Sequence, residues 1–183
     1  MGATTTSIPT ASAAAEARRR QRGGIGLEWL ALLGEWPVAA ALRRSPLLYP
    51  LVNAAHILSL ALLVGAIAVL DLRVLGLFRA HPLGHLGPPL ARVAAAGLAL
   101  AVLTGFLLFS TRPLTYAENP AFLLKLGLLL LGTLNALALR AAPAWRAALA
   151  GGAVGSRLRL GAAFSLLAWV SAVVAGRWIG FLQ

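Results

Sequence analysis

The chain has 183 residues, 60% of them hydrophobic and 11% charged, with a formal net charge of +11 and no cysteine. An ordinary soluble domain is about a quarter charged, so this balance points to a polytopic membrane protein. Its arginines sit beside apolar runs instead of forming one basic face with interleaved aromatics, which argues against a nucleic-acid partner. The missing thiols exclude disulfides, cysteine-ligated zinc, iron–sulfur clusters and covalently attached c-type haem.

Residues 1–24, MGATTTSIPTASAAAEARRRQRGG, are small, polar and then basic, without the cleavage pattern of a secretory signal. They read as a disordered basic tail. Residues 25–45 mix Leu and Trp with Glu28, Glu35 and Pro37. That stretch is too polar and too interrupted to span, and suits short amphipathic helices in the interface with Trp29 and Trp36 at headgroup depth.

Residues 46–183 make the predicted transmembrane domain. A helix needs about 20 apolar residues to cross the hydrocarbon core, and four segments qualify: 47–70, 92–111, 120–140 and 159–181. Ser45 before Pro46 reads as the cap and first helical position of the first span. The joins HPLGHLGPP, TRPLTYAENP and AAPAWRAALAGGAVGSR carry the proline and glycine that interrupt helices. Short joins place successive helices antiparallel, so the predicted fold is an all-α integral membrane up-down four-helix bundle. Small residues in AAAGLALAVLTG permit close helix approach, for packing within one chain or in a homodimer.

Charge orients the bundle in two opposite ways. Close to the spans, Arg73, Arg79, Arg92, Arg140, Arg146, Arg157 and Arg159 outnumber Arg43, Arg44, Arg112 and Arg177, which puts both termini outside the cytoplasm. Adding Arg18, Arg19, Arg20 and Arg22 of the tail reverses the count.

Ionisable side chains within a span are costly and usually face the bundle interior or water, which makes them functional candidates. Threading the spans up and down brings His56, Thr104, Lys125 and Arg177 toward one membrane face, with Asn53 and Ser59 flanking His56 at helical spacing. The predicted site is a polar, mainly cationic pocket of Asn53, His56, Thr104, Lys125 and Arg177, closed over by the join bearing Tyr116, Glu118 and Asn119. Its ligand would be a quinone head, a haem propionate or a small anion. The plainer reading has Lys125 and Arg177 reaching the headgroups and His56 bonding a neighbouring helix.

At the opposite face Asp71 and Arg73 end the first predicted span, and an ion pair of Asp71 with Arg73, Arg92 or Arg140 is expected, with a proton relay as the alternative. His81 and His85, in HPLGH, read as solvated loop residues, since two histidines without a third ligand make a poor metal site. No nucleophile–base pair, carboxylate dyad or phosphate loop stands out, so no catalytic residue is assigned.

The segments LLYPLVNAAHILSLALLVGAIAVLDLRVLGL, AGLALAVLTGFLLFS and YAENPAFLLKLGLLLLGTLNAL resemble a family of small bacterial four-span inner-membrane proteins without an assigned activity. The likeness covers roughly residues 25–180 and rests on the histidine-bearing span ending in Asp71-Leu72-Arg73, on Thr104-Gly105, and on Asn119-Pro120 through Phe122 and Lys125 to Asn135. More loosely, the layout is similar to the membrane bundles of copper-resistance D-type proteins and b-type cytochromes, which implies haem b or a quinone as cofactor. Members of the small family often carry a second histidine shortly after the position of Asn135, where this chain reads LNALALRAA. Paired histidine ligation of haem within one chain is therefore not expected. The other readings are a transporter or channel subunit and a non-catalytic partner in a larger membrane complex.

Overall fold

The computed structural model describes residues 28–181; the predicted tail, 1–24, lies outside the described residues. Four helices are long and apolar enough to cross a membrane: Leu48–Leu75, Leu83–Thr111, Pro120–Ala141 and Ser156–Phe181. No strand occurs among the described residues, and the expected all-α up-down four-helix bundle is what the chain forms.

Two span boundaries differ from expectation. The first span runs on past 70 to Leu75, where Gly76 takes a left-handed φ of 114° and its N–H reaches the carbonyls of Leu72 and Arg73. Glycine adopts that conformation at no steric cost, so the helix stops there. Asp71 and Arg73 consequently lie inside the helix. The second span starts at Leu83, well before 92, and carries Pro88 and Pro89 within it. Each proline lacks an N–H, leaving the carbonyls of Gly84 and His85 without their usual helical donor. Both fall near the helix end, where water and headgroups can serve the freed carbonyls. His85 is therefore helical and His81 sits in the bend before it, both exposed.

Ahead of the first span, residues 28–34 are helical and a second short helix covers Pro37–Arg44. Its Ala39 and Leu42 are buried, while Arg43 donates to the carbonyls of Gly34 and Thr111. Trp36 packs on Phe106 with ring centroids 6.3 Å apart. The amphipathic segment thus docks against the end of the second span. Ser45 accepts from the amides of Leu47 and Leu48 at 3.3 and 3.1 Å, but the first span begins at Leu48 with Leu47 in the cap position, so Ser45 and Pro46 form the turn ahead of the helix instead of its cap and first residue.

The most extensive contact joins the first and second spans; the third packs on the fourth, and the fourth on the first. Gly97 makes the first contact possible, because a Cβ there would lie 2.7 Å from the backbone nitrogen of Leu63. The small residues of the second span therefore serve packing within the chain. Between the third and fourth spans, Gly132 lies flat against Trp169 and Asn135 Nδ2 donates to the Gly161 carbonyl at 3.0 Å. Only 6% of the third span's most apolar window is buried, against 39% for the fourth, so the third span is peripheral and mostly presented to lipid.

Candidate functional site

His56 lies two turns into the first span, about 12 Å along its axis from Leu48. Its Nδ1 is 2.9 Å from Thr104 Oγ1 on the second span. The threonine hydroxyl has a single proton, and Oγ1 lies 2.6 Å from the Leu100 carbonyl and 3.4 Å from that of Ala101. Carbonyls only accept, so the Thr104 proton points along its own helix and toward His56 the hydroxyl offers a lone pair. Nδ1 must then carry the hydrogen and donate it. The neutral ring is left with a bare lone pair on Nε2 and no described partner for it. A ring nitrogen fixed by one hydrogen bond and open at the other is how proteins present an imidazole to a ligand.

Room for the ring comes from Gly105. A Cβ at that position would stand 3.1 Å from His56 Cε1, so a larger residue would push the imidazole off Thr104. Thr104 and Gly105 act as one unit, the first setting the ring's protonation and the second its place.

Lys125 approaches from the third span. Its side chain lies along Gly176 of the fourth span, where a Cβ would stand 3.4–3.5 Å from Cδ, Cε and Nζ. Its ammonium group makes no hydrogen bond or ion pair with any described residue, and so keeps its donors for something else. The other predicted members are placed differently. Asn53 is exposed on the first span. Arg177 is exposed as well, with its guanidinium carbon 5.2 Å from the Phe181 ring centroid, so it stands outside the group around His56. Ser59 is buried and spends its hydroxyl on the Ala55 carbonyl at 2.7 Å.

The second join does close over this end, through rings more than through its polar residues. Phe109 stacks on Phe122 at 5.4 Å, and Tyr116 packs on both. Asn119 is the cap of the third span: its Oδ1 accepts from the amides of Ala121 and Phe122, and Nδ2 reaches the Ile179 carbonyl at 3.4 Å. With Pro120 at the first helical position, this cap fixes the start of the helix that carries Lys125. The aromatic cluster is what sequence reasoning missed; Thr104-Gly105 stands out in the sequence, and the structure adds that Gly105 seats the His56 ring and Gly176 the Lys125 side chain.

The expected ion pair of Asp71 does not form. Neither Arg73, Arg92 nor Arg140 pairs with it; its carboxyl faces the cavity that Ser165 also lines, and Oδ2 is buried without a partner. The helix continuing through Asp71 explains this, since it turns the carboxyl toward the fourth span while the Arg73 Nε bonds to the His81 carbonyl at 2.7 Å. Among the described residues no group of three or more His, Cys, Asp or Glu side chains assembles to hold a metal ion. Comparison with protein-family models, with curated proteins and with solved structures finds no match to this chain.

Proposed function

We propose that the chain is a multi-pass protein of a bacterial inner membrane, akin to the small four-span family it resembles, and that it binds a lipid-soluble ligand between His56 and Lys125. The observation that carries this reading is the Thr104–His56 hydrogen bond, which leaves Nε2 bare at the level where Lys125 enters from the third span. A bare Nε2 takes a hydroxyl proton or a metal, and Lys125 supplies a donor to an oxygen acceptor. The reduced head of a quinone has both an O–H and oxygen lone pairs, so it suits the two groups together. The third span and the first scarcely touch, and a ligand dissolved in the bilayer would approach the pair between them.

Haem b is the second reading, favoured by the same bare nitrogen. His56 Nε2 would be its single axial ligand and Lys125 would face a propionate; bound haem would bring electron transfer. His81 and His85 lie past the far end of the first span, so this chain offers one axial ligand at this site.

Gentle solubilisation, an absorption spectrum and solvent extraction of the purified protein test the proposal. A quinone recovered at about one per chain, or a Soret band, is expected in the wild type and should be lost in His56→Leu with its helical circular dichroism intact. Wild-type protein that carries neither, and takes up neither when each is added, would refute it.

A further inference from the structure

The far end of the bundle holds a second polar site that ligand binding at His56 does not use. Asp71, the chain's single aspartate, lies within the first span and is 7% exposed. Ser165 of the fourth span lines the same cavity, and Oδ2 is buried with no hydrogen-bond partner. The carboxyl lines a cavity of about 40 Å³ together with Ser165, Arg140, Trp145 and aliphatic side chains such as Ile67 and Leu158. A water needs roughly 10–15 Å³ of such space, so about three or four fit.

The groups facing Asp71 decide what the cavity can hold. On its own helix Arg73 is committed to the His81 carbonyl. The fourth span presents neutral Ser165, and the short helix Pro143–Leu149 presents neutral Trp145. Arg92, Arg146, Arg157 and Arg159 are exposed at the surface. Arg140, at the end of the third span, is the one charged side chain in the cavity wall besides Asp71, and it stands across the gap without pairing. An ionised carboxylate in apolar surroundings is costly without a paired cation. A protonated one removes the orphan, because Oδ2–H becomes a donor to cavity water.

We propose that this cavity is a proton-binding site, in which Asp71 takes a proton from cavity water and gives it back. In the release step the Oδ2–H bond breaks, its electron pair stays on the carboxylate, and a water becomes hydronium that leaves toward the nearby membrane face. Arg140 then closes across the vacated gap and pairs with the anion. Uptake reverses both movements. The third span, which otherwise scarcely touches the first, is tied to it at this end in the deprotonated state alone.

A single aspartate makes the test independent of mutation. Infrared spectra of the protein in nanodiscs, with and without carbon-13 at the aspartate carboxyl, isolate this one group. The expected result is a label-sensitive band of a protonated carboxylic acid that shifts in D2O and gives way reversibly to carboxylate bands as the pH of the medium rises, while the bundle stays helical. Carboxylate bands alone at every pH would mean a permanent ion pair and overturn the proposal. A protonated band that never converts, or never exchanges with D2O, would mean a sealed neutral acid and overturn it equally.

Discussion

Gly97→Ala tests the packing that brings His56 to Thr104. An added methyl carbon would stand 2.7 Å from the Leu63 nitrogen, 3.0 Å from its Cα and 3.0 Å from the Ser59 carbonyl oxygen, where ordinary contact begins at 3.4 Å. All three are backbone atoms of the first span, so no side chain can turn aside, and the spans must part by roughly 0.7 Å, the shortfall from ordinary contact. Overpacking of this kind costs about 1–3 kcal/mol. Alanine recovers about 0.5–1 kcal/mol of that over glycine in a helix. The net loss of about 0–2.5 kcal/mol corresponds to a fall in Tm of up to roughly 10 °C for a chain of this length. Gly127 is the control, since a Cβ there meets nothing within 4 Å; Gly127→Ala should raise Tm by roughly 1–4 °C. Thermal unfolding of both variants in one detergent, followed by circular dichroism, reads the difference. If Gly97→Ala melts as high as Gly127→Ala, the close crossing of the first two spans is not real and the placement of His56 falls with it.

Three further outcomes follow from the site. Thr104→Val keeps the shape but removes the acceptor for Nδ1–H, and should lower stability by about 0.5–1.5 kcal/mol while weakening ligand retention through a mobile ring, measured as melting temperature and bound ligand per chain. Lys125→Leu should release ligand at least tenfold more readily, whereas Arg177→Gln, altering a group stacked on Phe181 away from the site, should leave retention unchanged; equal effects in a dissociation assay would contradict the geometry. Asn119→Ala removes the cap of the third span and should cost about 1 kcal/mol, seen as faster amide exchange at Ala121 and Phe122.

Much of the bundle was legible because crossing a bilayer demands length and apolarity, and both can be counted along a chain. The third and fourth spans fall within a few residues of their predicted bounds. Pro88 and Pro89 hid the true start of the second span, since proline breaks a helix only where the freed carbonyl finds no other donor. The site was half legible: His56, Thr104 and Lys125 stand out as polar groups in apolar runs, and threading brings them to one level. Depth alone says nothing about azimuth, which is why Arg177 was grouped with them although it faces outward onto Phe181. Asp71 shows the converse. An acid amid many arginines reads as an ion pair, and only the helix running on to Gly76 turns it toward Ser165 and the cavity.

The protonation of His56 is the most direct test of this account. The chain has three histidines, so nitrogen-15 labelling of histidine gives few signals, and His56→Leu identifies the one that matters. The predicted spectrum in nanodiscs has His56 protonated at Nδ1 and bare at Nε2, and the Nε2 resonance moves when a reduced quinone or haem is titrated in, while those of His81 and His85 stay put. A His56 ring protonated at Nε2 and bare at Nδ1, or an Nε2 resonance indifferent to both ligands, would contradict it.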